Sequence, residues 1–165
     1  MSKFKENKKQ VIEIGKERGD SAIAQGEQRV AELRSVKGML DSIYDSTNDE
    51  DTKNQVKMLE QQYREAGREA HEREVENVVR SNNEGLERNK AEIGEERAKT
   101  ETGINRINDM IGVTDLARGE AKSAESGLQS SVEDFKNMEQ TTEKIESDHE
   151  AKSQNVRSKI ESIFG

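Results

Sequence analysis

Counting in sevens from Leu86 gives Leu86, Ile93, Thr100, Ile107, Thr114, Ala121, Leu128, Phe135, Thr142, His149, Val156 and Ile163, and none of these twelve is Asp, Glu, Lys or Arg. In a chain with 38% charged residues, chance gives such a run in roughly 0.3% of cases per register. The charge-free row is therefore a structural signal. A seven-residue repeat places one residue every two turns on the same side of a slightly underwound helix, so the row predicts a helix seam that avoids charge because it is buried. A second row, Ile104, Ile111, Ala117, Ala124, Val132, Met138 and Ile145, drifts between three and four residues away from the first. Arg97 and Lys152 interrupt it, so the pattern is that of a coiled-coil-like bundle and not of a uniform zipper.

Composition narrows the choice further. Leu, Ile, Val and Phe number only 30 of 165 residues, too few to offset chain entropy in an ordinary globule. Disorder and long helices with a narrow apolar seam are what remain. The chain has no proline, and its polar residues are dominated by Glu, Lys, Arg and Gln, which are good helix formers. An all-α fold of long amphipathic helices in an antiparallel, coiled-coil-like bundle follows. It is expected as a single domain, residues 1–165, with helices over about 3–45, 50–81, 85–111 and 115–163.

In the first segment, apolar or small residues fall at Ile12, Gly15, Gly19, Ala22, Ile23, Gly26, Val30, Leu33, Val36, Leu40 and Ile43, in steps of three and four. Three of these are glycines, read first as local weakness of the helix and second as places where helices approach closely. Thr47 with Glu50 has the spacing of a capping box and marks the clearest break. Beyond it Val56, Leu59, Tyr63, Ala66 and Ala70 continue as a stripe. Ser81 to Glu84 offers a second capping box, though the stripe also runs straight through it. At Gly112-Val113-Thr114 a glycine able to end a helix precedes a residue able to start one. A turn there folds the seam back on itself, whereas a continuous helix from Leu86 to Ile163 would be a rod of about 115 Å.

Residues suited to chemistry are sparse. Without cysteine there are no disulfides and no thiolate-bound metals. His71 reads as an exposed residue of a charged helix. His149 reads as a seam residue, and with Glu146 it forms one Glu-x-x-His pair. A di-metal helical centre needs two such pairs, and three residues before His71 stands Arg68. No Gly-x-Ser-x-Gly or Gly-Lys-Ser/Thr sequence is present. The expectation is no catalysis, no cofactor and no metal. With a pI near 5.0 and no basic stripe carrying aromatics, the sequence argues against nucleic acid. Lys3, Lys5, Lys8 and Lys9 make the start locally basic, which reads as a solvated helix end. The first residues lack the apolar stretch of a secretory signal, and no run of about 18 apolar residues offers a membrane span. The expected setting is cytoplasmic.

In length, helix content, lack of a signal peptide and lack of cysteine, the chain is similar to the Trp-x-Gly helical-hairpin family of type VII-secreted proteins, and to the helical proteins that escort larger type VII toxins. The likeness is one of architecture over the whole chain. No Trp is present, so the Trp-x-Gly turn has no counterpart. Phe135-Lys136-Asn137-Met138-Glu139 echoes the family's Tyr-x-x-x-Asp/Glu export signal. The resemblance implies export without a cleaved signal peptide, or the chaperoning of a toxin. From the residues themselves the reading is a structural or adaptor protein that binds helical partners, or itself, through its seam. The residues expected to carry that contact are Val30, Leu33, Leu40, Ile93, Ile107, Leu128, Phe135, Val156 and Ile163.

Overall fold

A computed structural model describes residues 2–110 and 115–165. They form α1 (Lys3–Ser46), α2 (Glu50–Ala70), a π-helical turn (His71–Glu76) leading into α3 (Asn77–Met110), and α4 (Asp115–Ile163). The protein is an all-α helical bundle, with no strand among the described residues. The helices group into two compact units, each built from three stretches of helix. The first comprises residues 1–14 and 84–146, and the second 15–83 and 147–165.

The break between α1 and α2 falls where the sequence places it, but the cap is Asp49 and not Thr47. The Asp49 carboxylate accepts from Asp51 N at 3.4 Å and from the Thr52 hydroxyl at 2.7 Å. Thr47 Oγ1 instead accepts from Asp49 N at 3.2 Å, bracing the link one step earlier. At the start of α1, the Ser2 hydroxyl accepts from Lys5 N at 3.3 Å. The capping sequence at Ser81 is not used, because α3 runs through residues 81–85 without interruption. The turn expected at Gly112-Val113-Thr114 lies outside the described residues.

In the first unit α3 and α4 run antiparallel. Lys90 pairs with Glu143 at 2.9 Å, Arg97 with Glu139 at 3.2 Å, and Gly103 faces Leu128. The start of α1 lies parallel to α4, with Lys5 Nζ 2.9 Å from both Ser131 Oγ and Asp134 Oδ2. Lys8 pairs with Glu92 of α3. Two of the four lysines at the basic start are thus engaged within this unit. Its core holds Ile12, Leu86, Ile93, Phe135, Met138 and Ile145, with Phe4 packed edge-on to Phe135 at 5.9 Å between ring centres.

In the second unit α1 is antiparallel to α2, as Lys37–Glu60 at 2.8 Å and Arg29–Glu74 show. It is parallel to the end of α4, as Glu27–Lys159 at 3.0 Å shows. Two apolar clusters fill this unit, Ala22, Ile23, Val75 and Val79, then Val30, Leu33, Val156 and Ile160. Here the glycines mark close approach and are not weak points. A Cβ on Gly19 would lie 1.9 Å from the His149 ring, and one on Gly26 would lie 2.9 Å from Val75. Apolar volume is scarce, so backbone proximity supplies packing that large side chains supply elsewhere.

The inward residues Gly67, His71, Val75 and Val79 recur every four positions. In an α-helix that spacing drifts by about 40° per step. The wider π-helical turn absorbs the drift and keeps all four facing inward. This is why His71, expected at the surface, is fully buried.

Candidate interaction surface

No described member of the charge-free row from Leu86 to Ile163 is exposed. Of the residues expected to meet a partner, Val30, Leu33, Leu40, Ile93, Phe135 and Val156 are buried inside this chain, and Ile107, Leu128 and Ile163 are half-buried. Structure brings Val30, Leu33 and Val156 into one cluster, against which Ile163 packs, and places Ile93 with Phe135 in another. The seam is therefore largely spent on the chain's own packing. What it leaves accessible is confined to the half-buried positions. In the pentapeptide that echoes an export signal, Phe135 is a core residue and Glu139 is held by Arg97.

The second segment's stripe differs from expectation in a way that matters. Val56 is buried, but the next inward residue is Gly67, and Leu59, Tyr63 and Ala66 are exposed. The Lys37–Glu60 pair and the contact of Leu33 with Gly67 fix the face of α2 that meets α1. Leu59 and Tyr63 flank that face. Met39 and Ile43 are exposed on α1 of the same hairpin. All four are at least two-fifths exposed, Met39 most of all at 61%. Single exposed apolar residues are ordinary. Together with Met58 of α2 they are exposed large apolar residues in a chain poor in such residues.

The buried polar groups have a different character. In the second unit the His71 ring has neither nitrogen hydrogen-bonded. Its Nε2 stands 3.3 Å from Glu76 Oε1, without hydrogen-bond alignment. Burial pushes the His71 pKa down, Glu76 opposes that shift, and Arg157 and Arg29 reinforce it. His149 is buried against Gly19 with its Nε2 3.1 Å from Asp20 Oδ1. Asn82 donates to Gly15 O at 2.6 Å. In the first unit Asn89 donates to Lys8 O at 3.3 Å and Thr142 to Met138 O at 2.8 Å. There, too, Glu146 meets Glu87 carboxyl to carboxyl. Burial, then the hydrogen bond with Glu87, raises the Glu146 pKa to about 7. A proton shared between them removes the repulsion of two carboxylates.

These groups are scattered along the helices. Among the described residues no three His, Cys, Asp or Glu side chains converge as metal ligands. The clefts are open and shallow. One, of about 480 Å³, is lined by the charged residues Glu69, Glu72, Arg73, Glu76 and Arg80 with Asn77. Another, of about 290 Å³, lies between the start of α1 and α4, with Ile12 and Met138 among the residues that line it. Among the described residues no helix is long and apolar enough to cross a membrane. Comparison with known families, curated proteins and solved structures finds no match to this chain.

Proposed function

We propose that this is a non-catalytic protein that works by binding other protein surfaces through apolar helix faces. The observation that carries the reading is the exposure of Met39, Ile43, Leu59 and Tyr63 on the α1–α2 hairpin. Elsewhere Val11, Ile14, Met58, Val78 and Met110 are also exposed, but among charges of both signs, where exposed ion pairs contribute about 0–1 kcal/mol each and are screened by salt. A surface of that kind keeps helices dissolved but discriminates poorly among partners. The apolar face supplies contact that salt does not weaken. Smaller contributions come from the half-buried Ile107, Leu128 and Ile163.

The test is affinity capture from low to high salt, with Leu59→Asp, Ile107→Asp and Leu128→Asp beside the parent. Capture of helical protein partners that persists at about 1 M NaCl, and is lost in variants that stay helical, supports the reading. Capture abolished by salt and indifferent to all three variants places recognition on the charged faces and overturns it.

A further inference from the structure

We propose that the π-helical turn His71–Glu76 is an acid-operated latch: a proton taken up by His71 opens this turn toward the cleft beside it while α1 and α4 stay folded. The inference holds whatever the protein binds. It starts from an imidazole that is fully buried with neither nitrogen hydrogen-bonded. The position faces inward between Gly67 and Val75. An apolar side chain there would leave no polar atom unsatisfied, whereas histidine leaves two. Histidine is also the side chain whose charge changes most readily between pH 5 and pH 8.

The charged groups around the ring come from three elements. Glu76, five residues on in the same turn, has Oε1 3.3 Å from His71 Nε2. In an α-helix residues five apart point about 140° away from each other. The wider π-helical turn is what brings this carboxylate to the ring. On α4, Arg157 Nη1 stands 3.7 Å from the same Oε1, and Arg157 Nε stands 3.7 Å from Glu161. On α1, Arg29 pairs with Glu74 while its Nη1 is buried without a partner. With the ring neutral, Glu76 serves Arg157. A proton on the ring sets a second cation on that one carboxylate. Loss of water chiefly, then Arg157 and Arg29, oppose it.

Relief is close at hand. Glu76 also lines the open cleft of about 480 Å³, where three glutamates, Glu69, Glu72 and Glu76, outnumber the two arginines, Arg73 and Arg80. An imidazolium moving that way regains water and meets a surplus of carboxylate. The backbone of the turn is weakly tied. The His71 N–H is shared between Arg68 O and Gly67 O, and the Asn77 N–H reaches five residues back to Glu72 O. The ion pairs that join the turn to its neighbours, Arg29–Glu74 and Arg157–Glu76, each have a member about half exposed, so they hold it weakly. By contrast α1 and α4 are unbroken α-helices of 44 and 49 residues. Opening is therefore cheapest at the turn itself.

Amide hydrogen exchange of the 165-residue chain, followed residue by residue by NMR at pH 7.5 and pH 5, tests this. After correction for the intrinsic pH dependence of exchange, protection of amides 71–77 should fall by up to about 30-fold. That is the limit for one proton on a group whose ordinary pKa is 6.5. Amides around Val30 in α1 and around Val156 in α4 should keep their protection. The fall should vanish in His71→Gln and in His71→Leu, either of which suffices if the other does not fold. Glu76→Gln keeps the ring but removes the carboxylate that favours its charged form, and should deepen the fall toward the same limit. Protection of the turn that is unchanged at pH 5 overturns the proposal. So does a fall shared equally by the amides near Val30 and Val156, which would be unfolding of the whole unit, or a fall of parental size in the His71 variants.

Discussion

The imidazole of His149 occupies the space that a side chain at position 19 would fill, with its Cε1 atom 1.9 Å from where a Cβ on Gly19 would stand. Glycine and histidine fit there as a pair, and the ring is held further by Asp20 at 3.1 Å. A side chain at position 19 requires the His149 ring to move.

Gly19→Ala is expected to destabilise the protein by about 1–3 kcal/mol through overpacking, although alanine favours helix by about 1 kcal/mol. Gly38→Ala, where a Cβ meets nothing within 4 Å, should stabilise by up to about 1 kcal/mol. Urea unfolding of both variants measures the contrast. Equal effects would mean that the close approach at Gly19 is absent.

Phe135→Ala should cost about 3–5 kcal/mol, because the ring is buried among Ile93 and Met138 and meets Phe4 edge-on. Lys136→Ala, at the neighbouring exposed position, should change stability by less than about 0.5 kcal/mol. Denaturant midpoints of the two proteins test the register of α4.

Glu146 imposes a definite pH dependence. Its pKa is near 7 in the folded chain and 4.5 in the reference state, so between those values the folded form binds the extra proton. The stability it contributes is full below about pH 4.5 and is lost as pH rises through 7. Glu146→Gln should therefore be more stable than the parent at pH 8 and close to it at pH 4.5. A constant difference across that range would show that Glu87 and Glu146 do not share a proton.

His71 has the opposite sign. Burial lowers its pKa below 6.5, so as pH falls below that value the unfolded chain takes up a proton that the folded chain refuses. Its contribution to stability is present above about pH 6.5 and declines with acid. His71→Leu should flatten the acid side of the stability curve, gaining on the parent at pH 5 relative to pH 8. A variant whose curve parallels the parent's between pH 8 and pH 5 would place the ring in contact with water.

Much of this architecture is legible in the order of residues, and the reason is physical. Burial excludes charge, so the row from Leu86 through Phe135 and His149 to Ile163 records which side of each helix faces inward. Where a glycine does the packing the record is ambiguous, because its lack of a side chain reads equally as weakness; Gly19 and Gly26 resolve only once His149 and Val75 are seen against them. Around His71 the phase itself changes. A π-helical turn leaves no mark that a fixed period detects, so His71 looks exposed when it is core. Within α2 a glutamate and a glycine, Glu60 and Gly67, hold inward positions after Val56, so Leu59 and Tyr63 look like core residues when they are surface. Interaction residues predicted from the seam carried no second signal: apolar side chains at helical spacing look alike whether the helix they meet belongs to the same chain or to another.

Ion pairs joining α1 to α4 bring together residues 129 positions apart in the first unit, Lys5 with Asp134, and 132 apart in the second, Glu27 with Lys159. Each unit draws on separate stretches of the chain. During synthesis the α1–α2 hairpin can close as soon as its short loop has been made, since local contacts form fastest. Its partner face for α4 must then wait while nearly all the remaining chain is added. For that interval Val30, and the sides of Leu33 and Gly26 that later meet α4, stand open to water on a two-helix ribosome-bound intermediate, and the low apolar content that makes the finished core so thin is also what keeps this waiting surface small.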